Sequence, residues 1–127
     1  MPVYKIRRSD GKYSSGGSTP RFTKSGKAWT TEGNLNSHIT QVHDAWLRQI
    51  QSRPSGENYY PYTNCVVEVY NLVDTRPIDI KGHIERRLAE IRSSFEQCRA
   101  AGRPLYEFDI WRKQALDTAR DILGIPR

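Results

Sequence analysis

Three histidines and two cysteines are the residues of this 127-residue chain best suited to metal or nucleophile chemistry. His38 and His43 lie five apart in a stretch that reads as helix. Two metal ligands on one helix sit three or four apart, so this pair points to different sides. His83 stands alone, Cys65 falls in a β-like run, and Cys98 falls on an apolar helical stripe, where a thiol behaves as a small hydrophobe. Neither Cys-x-x-Cys nor His-Glu-x-x-His occurs. The spacing announces no metal site, and no cofactor is expected. Catalysis by Cys65 would need the fold to bring a histidine and a carboxylate to it.

Other catalytic patterns fare no better. No Gly-x-Ser-x-Gly elbow and no Ser-x-x-Lys is present. Ser15-Gly16-Gly17-Ser18 has the composition of a phosphate loop, but a Walker motif requires Gly-x-x-x-x-Gly-Lys-Ser/Thr between a strand and a helix. The stretch reads more simply as a turn. Glu107 and Asp109 flank the start of a helix, where the macrodipole accounts for them. Asp117 and Asp121 are four apart on the same helix, a spacing at which like charges repel and are normally solvated. No enzyme is expected.

The basic N-terminus is the most informative feature. Seven cations (Lys5, Arg7, Arg8, Lys12, Arg21, Lys24 and Lys27) and one acid (Asp10) lie within residues 1–27, which accounts for the whole net charge of +6. The rest of the chain is balanced. The cations are interleaved with Tyr4, Tyr13, Phe22, Trp29 and several hydroxyl residues, the side chains that contact phosphates and bases. A ribbon carrying Lys5 and Arg7 on one face suits a major groove. Exposed Tyr13 or Trp29 would instead stack on unpaired bases, or both would face the core. The expected nucleic-acid contacts are therefore Lys5, Arg7, Arg8, Lys12, Tyr13, Arg21, Lys24, Lys27 and Trp29. A basic patch also attracts acidic protein surfaces.

Membrane and secretory classes are not expected. No stretch approaches the ~20 apolar residues of a membrane span. The opening Met1-Pro2-Val3-Tyr4-Lys5-Ile6 lacks the apolar run of a signal peptide. Two cysteines do not make a disulfide framework, so a reducing cytoplasm is the expected setting. Hydrophobic residues make up only 36% of the chain, but seven Tyr, three Phe and three Trp supply large packing units for a small core.

These residues must be positioned by recognisable elements. Val3–Arg8 alternates apolar and basic side chains, Asp10-Gly11 is a hairpin turn signal, and Tyr13-Ser14 begins a return strand. Short extended pieces follow at 21–23 and 27–29, completing a basic β-hairpin region over 1–30. Leu35, Ile39, Val42, Trp46 and Ile50 predict a helix over about 32–51, with Thr30 or Thr31 as its cap. Residues 52–64 read as a loop. Cys65–Val73 is the best strand, with Val67, Val69 and Val73 on one face and Val66, Tyr70 and Leu72 on the other, as if covered on both sides. Asp74–Pro77 ends it.

Ile84, Leu88, Ile91, Phe95 and Cys98 predict a helix over about 80–101. Phe108, Trp111, Ala115, Ala119 and Ile122 predict another over about 106–123, with Gly102 and Gly124 as stops. The two form an antiparallel helical hairpin spanning 80–124. Its seams account for packing on a sheet and are also compatible with a homodimer. The expected architecture is one α+β domain over 1–127, a small antiparallel sheet of the N-terminal strands and strand 65–73 packed with three helices.

One resemblance adds to this reading. The residues Tyr4-Lys5-Ile6-Arg7-Arg8, Gly11-Lys12-Tyr13-Ser14-Ser15-Gly16-Gly17, Phe22-Thr23-Lys24-Ser25-Gly26-Lys27-Ala28-Trp29 and Asn36-Ser37-His38-Ile39 resemble a module of small bacteriophage proteins of uncharacterised function. There a Lys-Ile-Arg and Gly-x-Phe/Tyr-Ser-x-Gly-Gly hairpin precedes Gly-Lys-x-Trp and a helix. The likeness spans roughly the first third of the chain and carries no activity and no functional residue. It implies a phage or prophage origin and a site of action in the host cytoplasm. The expected function is that of a non-enzymatic, nucleic-acid-binding accessory protein. The competing expectation is a phage protein that modulates a host or defence protein through the basic patch or the helical hairpin.

Overall fold

The computed structural model describes residues 2–70 and 74–126. Eight elements follow in order: β1 (Val3–Arg8), β2 (Tyr13–Ser14), β3 (Phe22–Thr23), α1 (Glu32–Ser52), β4 (Cys65–Tyr70), β5 (Asp74–Pro77), α2 (Ile80–Ala100) and α3 (Glu107–Leu123). The strands form one antiparallel sheet in the order β3-β2-β1-β4-β5, so the fold is α+β. Contacts gather into two compact units where the sequence reads as one domain. One unit holds residues 1–45 and 59–78, the other 46–58 and 79–127. The chain passes from the second unit back to the first within the 52–64 loop, and β4 then pairs with β1.

In the first unit β1 is the middle strand. It pairs with β4 along its whole length, from Val3 opposite Tyr70 to Arg8 opposite Cys65. Alternation puts Tyr4 and Ile6 on a buried face and leaves Lys5 and Arg7 half-buried on the other. The Asp10-Gly11 turn forms as the sequence implies. Arg8 N–H donates to the Lys12 carbonyl at 2.8 Å, and the Asp10 carboxylate accepts from Lys12 N–H at 3.1 Å. Residues 27–29 make no full strand. Trp29 forms a single bridge to Tyr4.

Three expectations for this unit need correction. Strand β4 buries only Cys65, Val67 and Val69, while Val66 and Glu68 are half-buried and Tyr70 is exposed, so it is not covered on both sides. Residues 71–73 of the expected strand lie outside the described residues. Asp74–Pro77, expected only as the segment that ends the strand, itself forms β5 at the edge of the sheet, a position that tolerates proline and suits an exposed, polar strand. On α1, Leu35 and Val42 are buried as expected, but His38 takes the place of the half-buried Ile39.

The second unit contains the last turns of α1 and the α2/α3 hairpin. Asp79 caps α2 by accepting from Gly82 N–H at 2.8 Å, and α3 ends at Gly124 with Ile125 N–H donating to the Arg120 carbonyl at 2.9 Å. Helix α2 buries Ile84, Leu88, Ile91 and Cys98, with Phe95 half-buried. The expected α3 seam is displaced. Ala115, Leu116 and Ala119 are buried, whereas Phe108, Trp111 and Ile122 remain 60%, 48% and 42% exposed. The largest apolar side chains of α3 therefore lie outside its core. No helix among the described residues is long and apolar enough to cross a membrane.

The β3–α1 connection holds the tightest backbone approach. Gly26 has a φ of +61°, and a Cβ there would lie 2.4 Å from Tyr13 Cβ and 2.8 Å from the Ser14 carbonyl oxygen. Gly17 has a φ of +83° but open space around its Cβ position. Gly26→Ala is expected to cost about 1–3 kcal/mol more than Gly17→Ala, since only the former adds a clash to backbone strain. Urea unfolding of the two variants measures the difference, and equal midpoints would contradict the packing described.

Candidate nucleic-acid interface

All seven N-terminal cations belong to the sheet unit, but they divide into three groups. Lys5 and Arg7 project from the half-buried face of β1. Arg7 Nε donates to Glu68 Oε2 at 2.7 Å, and Tyr13 OH donates to Glu68 Oε1 at 3.1 Å. Tyr70 OH donates in turn to Tyr13 OH at 3.2 Å. Tyr13 projects from β2 and Tyr70 from β4, so their hydroxyls meet across β1. Lys5 Nζ lies 4.9 Å from the Tyr13 ring centre and 5.8 Å from that of Tyr70, and donates to the Ser25 carbonyl at 2.8 Å. The hydrogen bond to Tyr13 and the nearby Glu68 carboxylate raise the pKa of the Tyr70 hydroxyl.

The second group follows from register. Arg7 is opposite Tyr13 and Tyr13 is opposite Thr23, so Arg8 at the end of β1, Lys12 just before β2 and Lys24 just after β3 fall one register position further on, on the other face from Arg7 and Tyr13. Neighbouring strands lie about 4.8 Å apart, and like charges directly opposite one another are destabilising. Arg8 is partly relieved. Its guanidinium bonds Asp10 Oδ2 at 2.7 Å and stacks on Phe22 at 4.2 Å. That contact, with the Lys12 amide, holds the Asp10 carboxyl down at about 2. Lys12 and Lys24 are exposed, as is Arg21 beside them, and among the described residues these three form no ion pair. Among the described residues Asp10 is thus the only acid that pairs with this row.

Lys27 and Trp29 form the third group. Lys27 Nζ sits 5.5 Å from the Trp29 ring, and its chain passes where a Cβ on Gly16 would be. Trp29 is only 5% exposed and stacks on His38 with centroids 4.7 Å apart. Of the two aromatics expected to stack or to fill the core, Trp29 fills the core, and Tyr13 lies half-buried on the cationic face. Sequence reasoning passed over Glu68 and Tyr70, which complete that face. The alternation Val66, Glu68, Tyr70 against Cys65, Val67, Val69 is the signal that marks them.

The remaining chemical groups are dispersed. Tyr62 OH meets Ser14 Oγ at 2.9 Å and is hydrogen-bonded to His38 Nε2, all three residues being buried. Burial pushes the Tyr62 hydroxyl up to about 12 and lowers His38. His43 Nε2 bonds Tyr60 OH at 2.7 Å. Cys65 is buried and its thiol is pushed up to about 11, so it stays protonated at neutral pH. In the other unit Asp109 accepts from Ser94 at 2.6 Å and Asp117 from Lys113 at 2.9 Å. Among the described residues no cluster of three or more His, Cys, Asp or Glu is placed to hold a metal ion.

No protein-family model matches the chain, and no curated protein or solved structure compared with it is significantly similar.

The buried His38 sets a pH dependence. Desolvation disfavours its imidazolium in the folded state, so between pH 6.5 and its lower folded value the unfolded chain holds the extra proton. Stability therefore falls as pH drops below 6.5 through that window. Urea midpoints measured between about pH 7.5 and 5 should decline, and His38→Gln should flatten that decline. An unchanged slope in the variant would place the titration elsewhere.

Proposed function

We propose that the chain is a non-enzymatic nucleic-acid-binding accessory protein, phage-encoded as its N-terminal resemblance implies, that holds phosphates with the cations of β1 and of the residues flanking β2 and β3. The level row of Arg8, Lys12 and Lys24 carries this reading. Three cations at neighbouring strand ends, with one acid among them, are mutually repulsive in the free protein. An anionic backbone laid across them relieves that repulsion and releases its own counterions. Arg21 and Lys5 carry positive charge on the other face of the sheet, where the carboxylate of Glu68 is already occupied by Arg7 and Tyr13.

Fluorescence anisotropy with labelled single- and double-stranded DNA and RNA tests the proposal. If about four phosphates are neutralised, affinity should fall roughly 100-fold between about 50 and 200 mM salt. Joint replacement Lys12→Glu with Lys24→Glu should weaken binding at least tenfold and make the salt slope shallower by about two. Absence of binding at low salt would sink the reading.

A second reading concerns the helical hairpin and rests on a separate observation. Phe108, Trp111, Ala115, Thr118 and Ile122 recur at spacings of three, four, three and four along α3, the period of a two-helix seam. The three largest of them are exposed. With the end of α1, from Arg48 to Pro54, four of these residues line a groove of about 550 Å³. The occupant this favours is α3 of a second copy in parallel orientation. In that register Glu107 of one copy flanks Arg112 of the other, whereas antiparallel pairing sets Glu107 against Asp121. Sedimentation equilibrium should show a concentration-dependent dimer that Phe108→Ser with Trp111→Ser abolishes. A monomer at all concentrations would refute it.

A further inference from the structure

The face built from β2, β1 and β4 bears more than charge. Tyr13 and Tyr70 lean towards each other from the two strands flanking β1 until their hydroxyls meet, with the Lys5 ammonium against both rings. Tyr70 keeps 38% of its surface exposed although it belongs to the best-paired strand of the sheet. Val69, its neighbour in sequence, is 1% exposed. Tyr70, the last residue of β4, thus lies on the face opposite the buried Val67 and Val69.

We infer that Tyr70 and Tyr13 form a platform on which unpaired bases stack, so that the nucleic acid this protein takes is single-stranded. The inference rests on the nucleic-acid reading above and narrows it. Two physical points carry it. A major groove admits a two-stranded ribbon, but β1 has a strand on each side within a five-stranded sheet, so Lys5 and Arg7 cannot be inserted into a groove as a ribbon edge. Bases within a duplex also hide their faces against each other, whereas unpaired bases offer them to an aromatic ring.

The groups around the rings suit the same ligand. Lys5 covers the rings in the free protein and anchors its ammonium on the Ser25 carbonyl at the exposed β3 turn. A base stacking on Tyr70 displaces that ammonium towards the phosphate that follows the base. The hydroxyl chain from Tyr70 through Tyr13 to Glu68 fixes the ring positions, and Arg7 fixes Glu68. From the platform the strand would run towards Arg21 at the β2–β3 side, because Ser15 N–H donates to the Arg21 carbonyl and so continues the ladder that sets Tyr13 opposite Thr23, with Arg21 on the same face. The platform thus supplies base stacking, Lys5 and Arg21 supply phosphate contacts beside it, and the row of Arg8, Lys12 and Lys24 lies on the other face of the sheet.

The test compares labelled oligo-dT and oligo-U of about 15 nucleotides with a blunt DNA duplex of the same length at about 50 mM salt. Either single strand should bind at least tenfold more tightly than the duplex, and the two arms tell DNA from RNA. Tyr70→Leu should weaken single-strand binding roughly tenfold without changing the salt slope, while Tyr70→Phe, which keeps the ring, should retain most of it. Far-ultraviolet circular dichroism checks that each variant is folded. Equal affinity for duplex and single strand, or an unaltered affinity of Tyr70→Leu, overturns the stacking platform. If Lys12→Glu with Lys24→Glu still weakens binding in that case, phosphate recognition by the cation row stands. If neither single strand nor duplex binds, both proposals fall together.

Discussion

The six-residue antiparallel ladder between Val3–Arg8 and Cys65–Tyr70 is the constraint on which the sheet unit depends. It joins segments some sixty residues apart, so its formation must overcome a large loop-closure entropy. Valines and aromatics on the buried face repay part of that cost, with Ile6, Val67 and Val69 almost wholly removed from water. The ladder also decides every orientation on the other face. With Lys5 opposite Glu68 and Arg7 opposite Val66, the Arg7 guanidinium reaches Glu68 diagonally, and Tyr70 stands across β1 from Tyr13. A shift of one residue would bury the cations and expose the core.

The buried side is less oily than its strands imply. His38, Tyr62 and Ser14 form a hydrogen-bonded group beneath the sheet, and His43 with Tyr60 forms a second such pair. Both pairs tie α1 to the short tyrosine-rich segment that leads into β4. A buried polar group stabilises only when its partners are in place, and leaving one unmatched costs about 1–3 kcal/mol. The arrangement therefore favours one placement of residues 60–62 over sliding alternatives. His38 and His43 act here as hydrogen-bonding partners of tyrosines, and the indole of Trp29 covers His38.

Much of the fold was legible because it is written in short-range periodicity. All three helices lie within a residue or two of where their apolar spacing and caps set them, and the Asp10-Gly11 turn forms with the bonds its residues imply. Other features escaped such reading. Strand β5 is Asp-Thr-Arg-Pro, a segment with little intrinsic strand preference that is recruited by its β4 neighbour. Helix α3 has enough apolar residues for two adjoining faces. Periodicity identified a stripe through Phe108, Trp111, Ala115, Ala119 and Ile122, of which packing buries Ala115 and Ala119 and adds Leu116, while the three large members stay exposed. Of the candidate site, the cations and Tyr13 were legible from composition. Glu68 and Tyr70 were not, because their relevance depends on a strand far away in sequence.

Sequence alone determined the local elements, the concentration of excess charge in residues 1–27, and the absence of familiar metal-binding and nucleophile motifs, since all of these are properties of neighbouring residues. Tertiary structure decided how that charge is used. It split the seven cations into a tyrosine-flanked pair, a level row and a lysine laid over a buried tryptophan. The reason lies in pairing register. Alternation along one strand assigns each side chain to one of two faces, but only hydrogen bonding to other strands determines which residues stand beside it.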